Sequence, residues 1–180
     1  TVPGGKYHNF KDFRFFPDFG NPEFVYSDMP PLEHLVLKKQ RSIFKAVLER
    51  DVLLHFPYQR FSYIVDLLRE AAIDPKVISI KINVYRAAKD SHILNALRSA
   101  VSNGKEVTVI FELQARFDEE NNLNWSERLK EEGATVIFGD PQFKIHSKLL
   151  QIRREKDGKE QVVSYVGTGN FHEGTAKVYG

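Results

Sequence analysis

A short stretch, Lys144-Ile-His-Ser-Lys148, carries residue types suited to chemistry at phosphorus. Side chains two apart in an extended strand point to the same face, so His146 and Lys148 are expected to stand side by side. A neutral imidazole can attack phosphorus as a nucleophile, and an ammonium group beside it can neutralise the oxygens that gain charge in the transition state. The pair therefore predicts phosphoryl chemistry.

A second stretch of small residues follows after a basic, glycine-containing hairpin: Gly167, Thr168, Gly169 and Asn170. Small residues let backbone N–H groups approach a phosphate closely, and the Asn170 amide adds a side-chain donor. We expect this stretch to be a phosphate-binding loop of the same site.

Two arginines follow predicted strands at equivalent positions, Arg86 after residues 77–85 and Arg116 after residues 106–113. Ligands of open α/β sheets sit outside the carboxyl ends of the strands, so both arginines are expected to reach the same edge. Guanidinium groups bind phosphate oxygens with paired hydrogen bonds and stay charged at any working pH. Phosphate contact is the predicted role of both.

The rest of the chain supplies the elements that would hold these residues. From residue 77 onward, strand-like apolar runs alternate with apolar residues at helical spacing. This order, closed by a hairpin, is typical of an α/β fold with a mixed sheet flanked by helices. The predicted strands are 77–85, 106–113, 134–138, 145–153 and 161–168, and the predicted helices are 91–103 and 119–132.

The first fifty residues differ from the remainder. Residues 1–31 hold five of the eight prolines and show little regular period, whereas residues 32–50 favour a helix. We therefore predict an arm at 1–50, or the tail of a preceding domain, and a separate domain at 51–180. The chain begins without Met and ends just after a strand-like run, which predicts a piece of a longer protein.

Composition excludes several classes of function. The chain has no cysteine, which excludes disulfides, thiolate metal sites and cysteine nucleophiles. A net charge of +2 is too mild to indicate a nucleic-acid partner. No apolar run approaches the roughly 20 residues of a membrane span. The histidines outside the Lys144–Lys148 stretch lack metal-ligand spacing, so no metal site built by protein ligands is predicted.

Four motifs occur in order along the chain: Lys81-Ile-Asn-Val-Tyr-Arg86, Glu112-Leu-Gln-Ala-Arg-Phe-Asp-Glu119, Lys144-Ile-His-Ser-Lys-Leu149 and Gly167-Thr-Gly-Asn-Phe171. Together they resemble the first catalytic C-terminal domain of the polyphosphate kinase 1 family, from about Asp51 to Tyr179. The resemblance implies a phospholipase D-like catalytic domain at 51–180 and the tail of the preceding domain before it. The wider phospholipase D pattern has an Asp where this chain has Arg153.

The resemblance implies an ATP–polyphosphate phosphotransferase. In this reading His146 takes the γ-phosphate of ATP as a phosphohistidine and passes it to a growing inorganic polyphosphate chain, reversibly. Arg86 and Arg116 belong to a Mg²⁺–phosphate environment without ligating the metal, since a guanidinium has no lone pair to give. Tyr179 matches a residue that contacts the nucleotide.

The resemblance also implies properties of the longer enzyme. We expect a cytoplasmic homo-oligomer, with membrane association as a further expectation, and ATP, ADP and polyphosphate as its partners. A second His and an Arg of the family site lie in a later domain, so the isolated piece is expected to be inactive. Two alternatives stay open: a phospholipase D-like phosphodiesterase, and a phosphate- or polyphosphate-binding module without catalysis.

Overall fold

The computed structural model describes residues 13, 17, 19–27, 29–112, 119–140 and 142–179. The chain divides into two compact units, Thr1–Pro30 and Pro31–Gly180. The described part of the first unit contains a 3₁₀ turn at Pro22–Phe24, capped by the Asn21 side chain. The division into an arm at 1–50 and a catalytic domain at 51–180 stays a prediction.

The second unit contains four α-helices and five strands in its described part. The helices are α1 (Ile43–Glu49), α2 (Ser62–Ile73), α3 (His92–Ser102) and α4 (Glu119–Glu131), and the strands are β1 (Val77–Val84), β2 (Glu106–Phe111), β3 (Thr135–Phe138), β4 (Lys148–Lys156) and β5 (Lys159–Gly167).

The strands form one mixed sheet in the order β3-β2-β1-β4-β5. The first three strands are parallel to one another, β4 runs antiparallel to β1, and β5 runs antiparallel to β4. The predicted α/β fold with a mixed sheet is confirmed. This topology brings the carboxyl ends of β1, β2, β3 and β5 to the same edge as the start of β4.

The core is built on the central strand. All but two residues of β1 are buried, as expected for a strand that is covered on both faces of its sheet. Its neighbours β2 and β4 alternate between buried and more exposed positions, and helices α2 and α3 pack against each other with small and branched apolar residues. Fully buried side chains include Leu68, Ile80, Leu97, Val109 and Ile152.

A tight hairpin joins the two strands that end the sheet. Lys156 pairs with Lys159, which leaves Asp157 and Gly158 as a two-residue loop. Both have positive φ, 55° and 71°. Two-residue hairpins favour such turns because their twist matches that of the strands.

Two sequence-based boundaries were wrong. The predicted helix at 32–50 is reduced to α1 because the backbone is extended at Gln40 and again at Ser42, whose hydroxyl caps the new helix at Lys45 N. The predicted strand 145–153 begins three residues later, so His146 precedes β4 rather than lying within it.

Among the described residues, no helix is both long enough and apolar enough to cross a membrane.

The hairpin turn provides a test of the fold. Gly158→Ala places a Cβ on a residue in the left-handed region and should lower the stability of the intact protein by about 1 kcal/mol. Asp157→Gly is the matched control at the adjacent position and should leave stability nearly unchanged. Chemical denaturation measures both; equal stability of the two variants would contradict the turn geometry.

Candidate active site

The site forms at the sheet edge where the strand ends meet. Arg86 lies two residues after β1, Glu112 follows β2 directly, and His146 lies two residues before β4. Gly167 ends β5 and is paired across the ladder with Lys148. Arg116, the second predicted phosphate-binding arginine, lies outside the described residues.

His146 and Lys148 stand side by side, with Lys148 Nζ 3.2 Å from His146 Nδ1. The same ammonium group donates to the backbone oxygen of His146. The imidazole is exposed whereas Lys148 is buried, only 4% exposed. An accessible imidazole is therefore joined to a shielded cation that is fixed against it.

Burial has a cost for this lysine. Loss of hydration lowers the pKa of Lys148 below its ordinary value, and the positive charge of Lys144 lowers that pKa further, while Tyr85 acts in the opposite direction. A cation held with little water has stronger electrostatic effects on a nearby developing anion than one in bulk solvent. The buried position of Lys148 therefore suits stabilisation of a nearby negative charge, at a cost to the stability of the folded protein.

The Tyr85 ring organises the cations at this edge. It meets the His146 ring edge-on, with the ring centroids 5.4 Å apart. Three cationic groups lie within cation–π range of its centroid, which partly offsets their mutual repulsion. They are Lys144 Nζ at 5.1 Å, Arg86 Cζ at 5.4 Å and Lys148 Nζ at 5.7 Å.

The loop that carries Arg86 is fixed by helix α4. The Asn122 amide is completely buried; its oxygen accepts from Ala87 N, and its nitrogen donates to the backbone oxygens of Tyr85 and Glu112. Asn121 donates to the backbone oxygen of Ala87, and Trp125 Nε1 donates to that of Ala88. Helix α4 therefore sets the direction of the loop in which Arg86 lies.

Two buried polar side chains hold the segment before β4. Glu112, only 3% exposed, accepts a hydrogen bond from Ile145 N at 2.6 Å. Asn83 on β1 bonds Ser147 and Leu149. Sequence reasoning assigned no role to Asn83, Tyr85 or Asn122. An amide between the apolar residues Ile82 and Val84 was the available signal for Asn83.

The predicted phosphate loop has a structural component. A Cβ at Gly167 would come within 2.7 Å of the outer atoms of the Tyr165 ring, so a larger residue there would displace that ring. Gly169 and Asn170 are buried and Thr168 is exposed. Asn170 Oδ1 is buried without a hydrogen-bond partner among the described residues. A buried amide oxygen without a hydrogen-bond partner is rare, and it leaves an unsatisfied acceptor at the end of the loop.

The segment after the loop is anchored to helix α3. Glu173 Oε1 accepts from His92 N at 2.7 Å and so caps the helix. Tyr179 is exposed, and its backbone N–H donates to the oxygen of Thr175. The structure does not bring the Tyr179 ring onto His146 in the part of the chain that it describes, so its nucleotide contact stays a prediction.

Arg153, at the position of the phospholipase D aspartate, belongs to a different region. It forms ion pairs with Glu160 at 3.4 Å and Glu106 at 3.9 Å, and donates to Ser79 Oγ. It lies five residues along β4 from Lys148, roughly 16 Å at the rise of a strand. Arg153 therefore has no contact with the His146 ring.

The donor set suits phosphate rather than a bare metal ion. Among the described residues, no group of three or more His, Asp or Glu side chains is arranged to hold a metal. The edge instead presents Arg86, Lys144 and Lys148 around one aromatic ring. Such a set fits a Mg²⁺ ion that arrives bound to phosphate oxygens.

Comparison with known families agrees with this geometry. The family model for polyphosphate kinase C-terminal domain 1 matches residues 42–180, which includes every element of the sheet. The chain belongs to the polyphosphate kinase family and contains this C-terminal domain.

Individual relatives are similar along the whole chain. A polyphosphate kinase of Vibrio vulnificus strain YJ016 is 52% identical over 178 residues, and that of Escherichia coli strain K12 is 51% identical over 180. Each match covers 99% of this chain but only 25% and 26% of the relative. The chain thus spans about a quarter of the length of these relatives.

One solved structure shows the same fold. The crystal structure of polyphosphate kinase from Porphyromonas gingivalis matches with a TM-score of 0.78 and 38% identity, covering 97% of this chain and 29% of that one. A phospholipase D family member from Salmonella typhimurium matches with a TM-score of 0.43 and 16% identity over 62% of this chain. A likeness of that size does not bear on the activity.

Lys148→Met tests the cost of the buried cation. Because burial lowers the pKa of Lys148, the folded protein binds fewer protons than the unfolded chain just below the ordinary lysine pKa of about 10.4, and stability rises with pH there. Met keeps the length of the side chain and removes the charge. The variant should retain or exceed the melting temperature of the intact wild type while phosphoryl transfer falls by at least ~10²-fold.

The control for this experiment is Lys81→Met, an exposed lysine on β1. It should change neither melting temperature nor rate appreciably. A large drop in the melting temperature of Lys148→Met, in calorimetry near neutral pH, would contradict the assigned cost.

Proposed function

We propose that the enzyme containing this chain is a polyphosphate kinase, an ATP–polyphosphate phosphotransferase that works through a phosphohistidine at His146. The observation that carries the proposal is the exposed His146 ring held 3.2 Å from the buried Lys148 ammonium at the sheet edge. Membership of the polyphosphate kinase family supplies the substrate class.

The reaction has two steps. An unprotonated ring nitrogen of His146 forms a bond to the γ-phosphorus of ATP while the bond from that phosphorus to the β–γ bridging oxygen breaks, and ADP leaves with the electron pair. A terminal oxygen of the polyphosphate chain then attacks the same phosphorus and releases the imidazole. Both steps are reversible, since bonds of the same kinds form and break in each direction.

The cations at the edge neutralise the charge that the transferred group carries. Lys148 stands at the attacking ring, and Arg86 is held by its loop across the Tyr85 ring. Arg116 and the stretch from Gly167 to Asn170 are proposed as further phosphate contacts, and Tyr179 as the residue beside the nucleotide. Mg²⁺ bound to the phosphates supplies additional charge neutralisation.

The family resemblance is the support for the remaining properties of the whole enzyme. These are the homo-oligomeric state, the cytoplasmic location with membrane association, and the absence of a nucleic-acid partner. The second His and Arg of the family site, in a later domain, complete the machinery that this chain contains in part.

Two other functions are distinguished by one assay. A phospholipase D-like phosphodiesterase is disfavoured because Arg153 is engaged with glutamates and because the chain has one His-x-Lys pattern of this type. A binding module would retain ATP or polyphosphate without transfer. Incubation of the intact enzyme with γ-labelled ATP leaves label on His146 if the kinase proposal holds, and binding without label supports the module.

Substitution of the nucleophile is the most direct test of the proposal. In the intact enzyme, His146→Ala should abolish polyphosphate synthesis and acid-labile labelling because no covalent intermediate can form. Arg86→Ala and Arg116→Ala each remove a charge clamp and should reduce the rate by about 10²–10³-fold. His55→Ala, an exposed histidine in ring contact with Tyr58, is the control and should remain active. Near-normal synthesis by His146→Ala would refute the assigned nucleophile.

A second test concerns the chain by itself. The 180-residue chain has an apolar core and a continuous sheet, so folding is expected. It should make little or no polyphosphate, because transition-state charge must be met from several sides. An ATP-to-polyphosphate assay with the purified chain beside the intact enzyme measures this. Comparable turnover from the chain would show that the site needs no further domain.

A further inference from the structure

Asn83 is an amide inside the apolar centre of the sheet. Its neighbours Ile82 and Val84 are almost completely buried, and Asn83 itself is only 6% exposed. A buried amide without partners is costly, so its partners are informative. They all lie in the segment that contains the nucleophile.

The amide takes over where the ladder between β1 and β4 ends. The last paired residues of that ladder are Ile82 and Leu150. Beyond them, Asn83 Oδ1 accepts from Leu149 N at 2.6 Å, while Asn83 Nδ2 donates to Ser147 Oγ at 2.9 Å and to the Ser147 backbone oxygen. One side chain thus holds the residues on both sides of Lys148.

Glu112 continues the same pattern one step earlier. Its carboxylate accepts from Ile145 N, so the held positions are Ile145, Ser147 and Leu149. The residues between them, His146 and Lys148, contact each other and the Tyr85 ring. Alternate residues are anchored to the sheet while the reactive pair points to the cation cluster.

We infer that Asn83 is a positioning residue for phosphoryl transfer, which, with Glu112, holds His146 and Lys148 in attack geometry. The inference rests on the proposed function. It assigns to an amide from a neighbouring strand the task of orienting the nucleophile in a chain where Arg153, at the position of the phospholipase D aspartate, is engaged elsewhere.

A positioning role affects the chemical step more than substrate binding. Displacement of a reacting group by about 1 Å can cost ~10²-fold in rate. Arg86 and Lys144 do not depend on the Asn83 amide. The loop of Arg86 is held by α4, and Lys144 precedes the residues whose backbone Glu112 and Asn83 hold. Loss of the Asn83 hydrogen bonds should therefore lower kcat and leave the KM for ATP nearly unchanged.

The test uses the intact enzyme with Asn83→Asp. This variant keeps the shape of the side chain and the acceptor for Leu149 N, but it replaces the donor to Ser147 with an oxygen that faces a carbonyl. Single-turnover labelling with γ-labelled ATP measures the rate of phosphohistidine formation. We expect a fall of ~10²-fold with a KM for ATP within about threefold of wild type.

Ser79→Ala is the matched control, because Ser79 is a buried polar residue on the same strand, away from the site. It should label at the wild-type rate. If Asn83→Asp does not fold, as judged by circular dichroism, Asn83→Ser serves as the second variant with the same expected split between kcat and KM.

The outcomes separate this inference from the proposed function. If the wild type fails to form a phosphohistidine, the proposed function is lost and the positioning role with it. If the wild type labels normally and folded Asn83 variants label at the same rate, or change only by a rise in the KM for ATP, the positioning role is overturned. The proposed function then still stands. Slow labelling with unchanged KM supports both.

Discussion

The site depends on placing a buried ammonium against an exposed imidazole. Lys148 loses hydration at this position, which lowers its pKa and opposes the charged form that the proposed chemistry needs. Contacts with the His146 backbone oxygen and with the Tyr85 ring offset part of that cost. The Tyr85 ring also faces Lys144 and Arg86, which add positive charge beside Lys148.

The mixed sheet makes the arrangement possible. In an entirely parallel sheet, the amino end of every strand lies at the edge opposite the usual ligand site. Reversal of β4 brings its first residue, Lys148, to the edge where β1 and β2 end. Arg86 and Glu112 then come to this edge from the ends of β1 and β2, while His146 comes to it from the segment before β4. The tight Asp157-Gly158 turn returns β5 so that Gly167 also lies beside Lys148.

The sequence predicted the reactive pair because its information is local. The two-residue spacing of His146 and Lys148 and the alternation of strands and helices are visible within short windows. The start of β4 was misplaced because Asn83, 64 residues away, replaces ladder pairing there. Asn122 and Trp125 hold the Arg86 loop through contacts 37 residues apart in the sequence. Such contacts depend on tertiary structure, which periodicity does not encode.

Two roles of small residues also became separable with the structure. From sequence, Gly167 through Asn170 favoured a phosphate loop as a unit. Gly167 leaves room for the Tyr165 ring, whose burial raises the pKa of its hydroxyl. Asn170 differs, because its buried side-chain oxygen accepts no hydrogen bond from the described residues.

The distribution of anchors explains how one edge combines rigidity with access. Backbone groups of Ile145 and Leu149 are fixed by buried side chains of the sheet, and the Arg86 loop is fixed by α4. None of these anchors covers the His146 ring, which remains exposed. In the proposed mechanism, His146 would take a phosphoryl group from one substrate and pass it to another, so its ring would have to stay open while its backbone stays fixed. Buried polar groups on the sheet side of His146 fix its backbone and leave its ring accessible. Groups on the solvent side would fix the backbone but cover the ring.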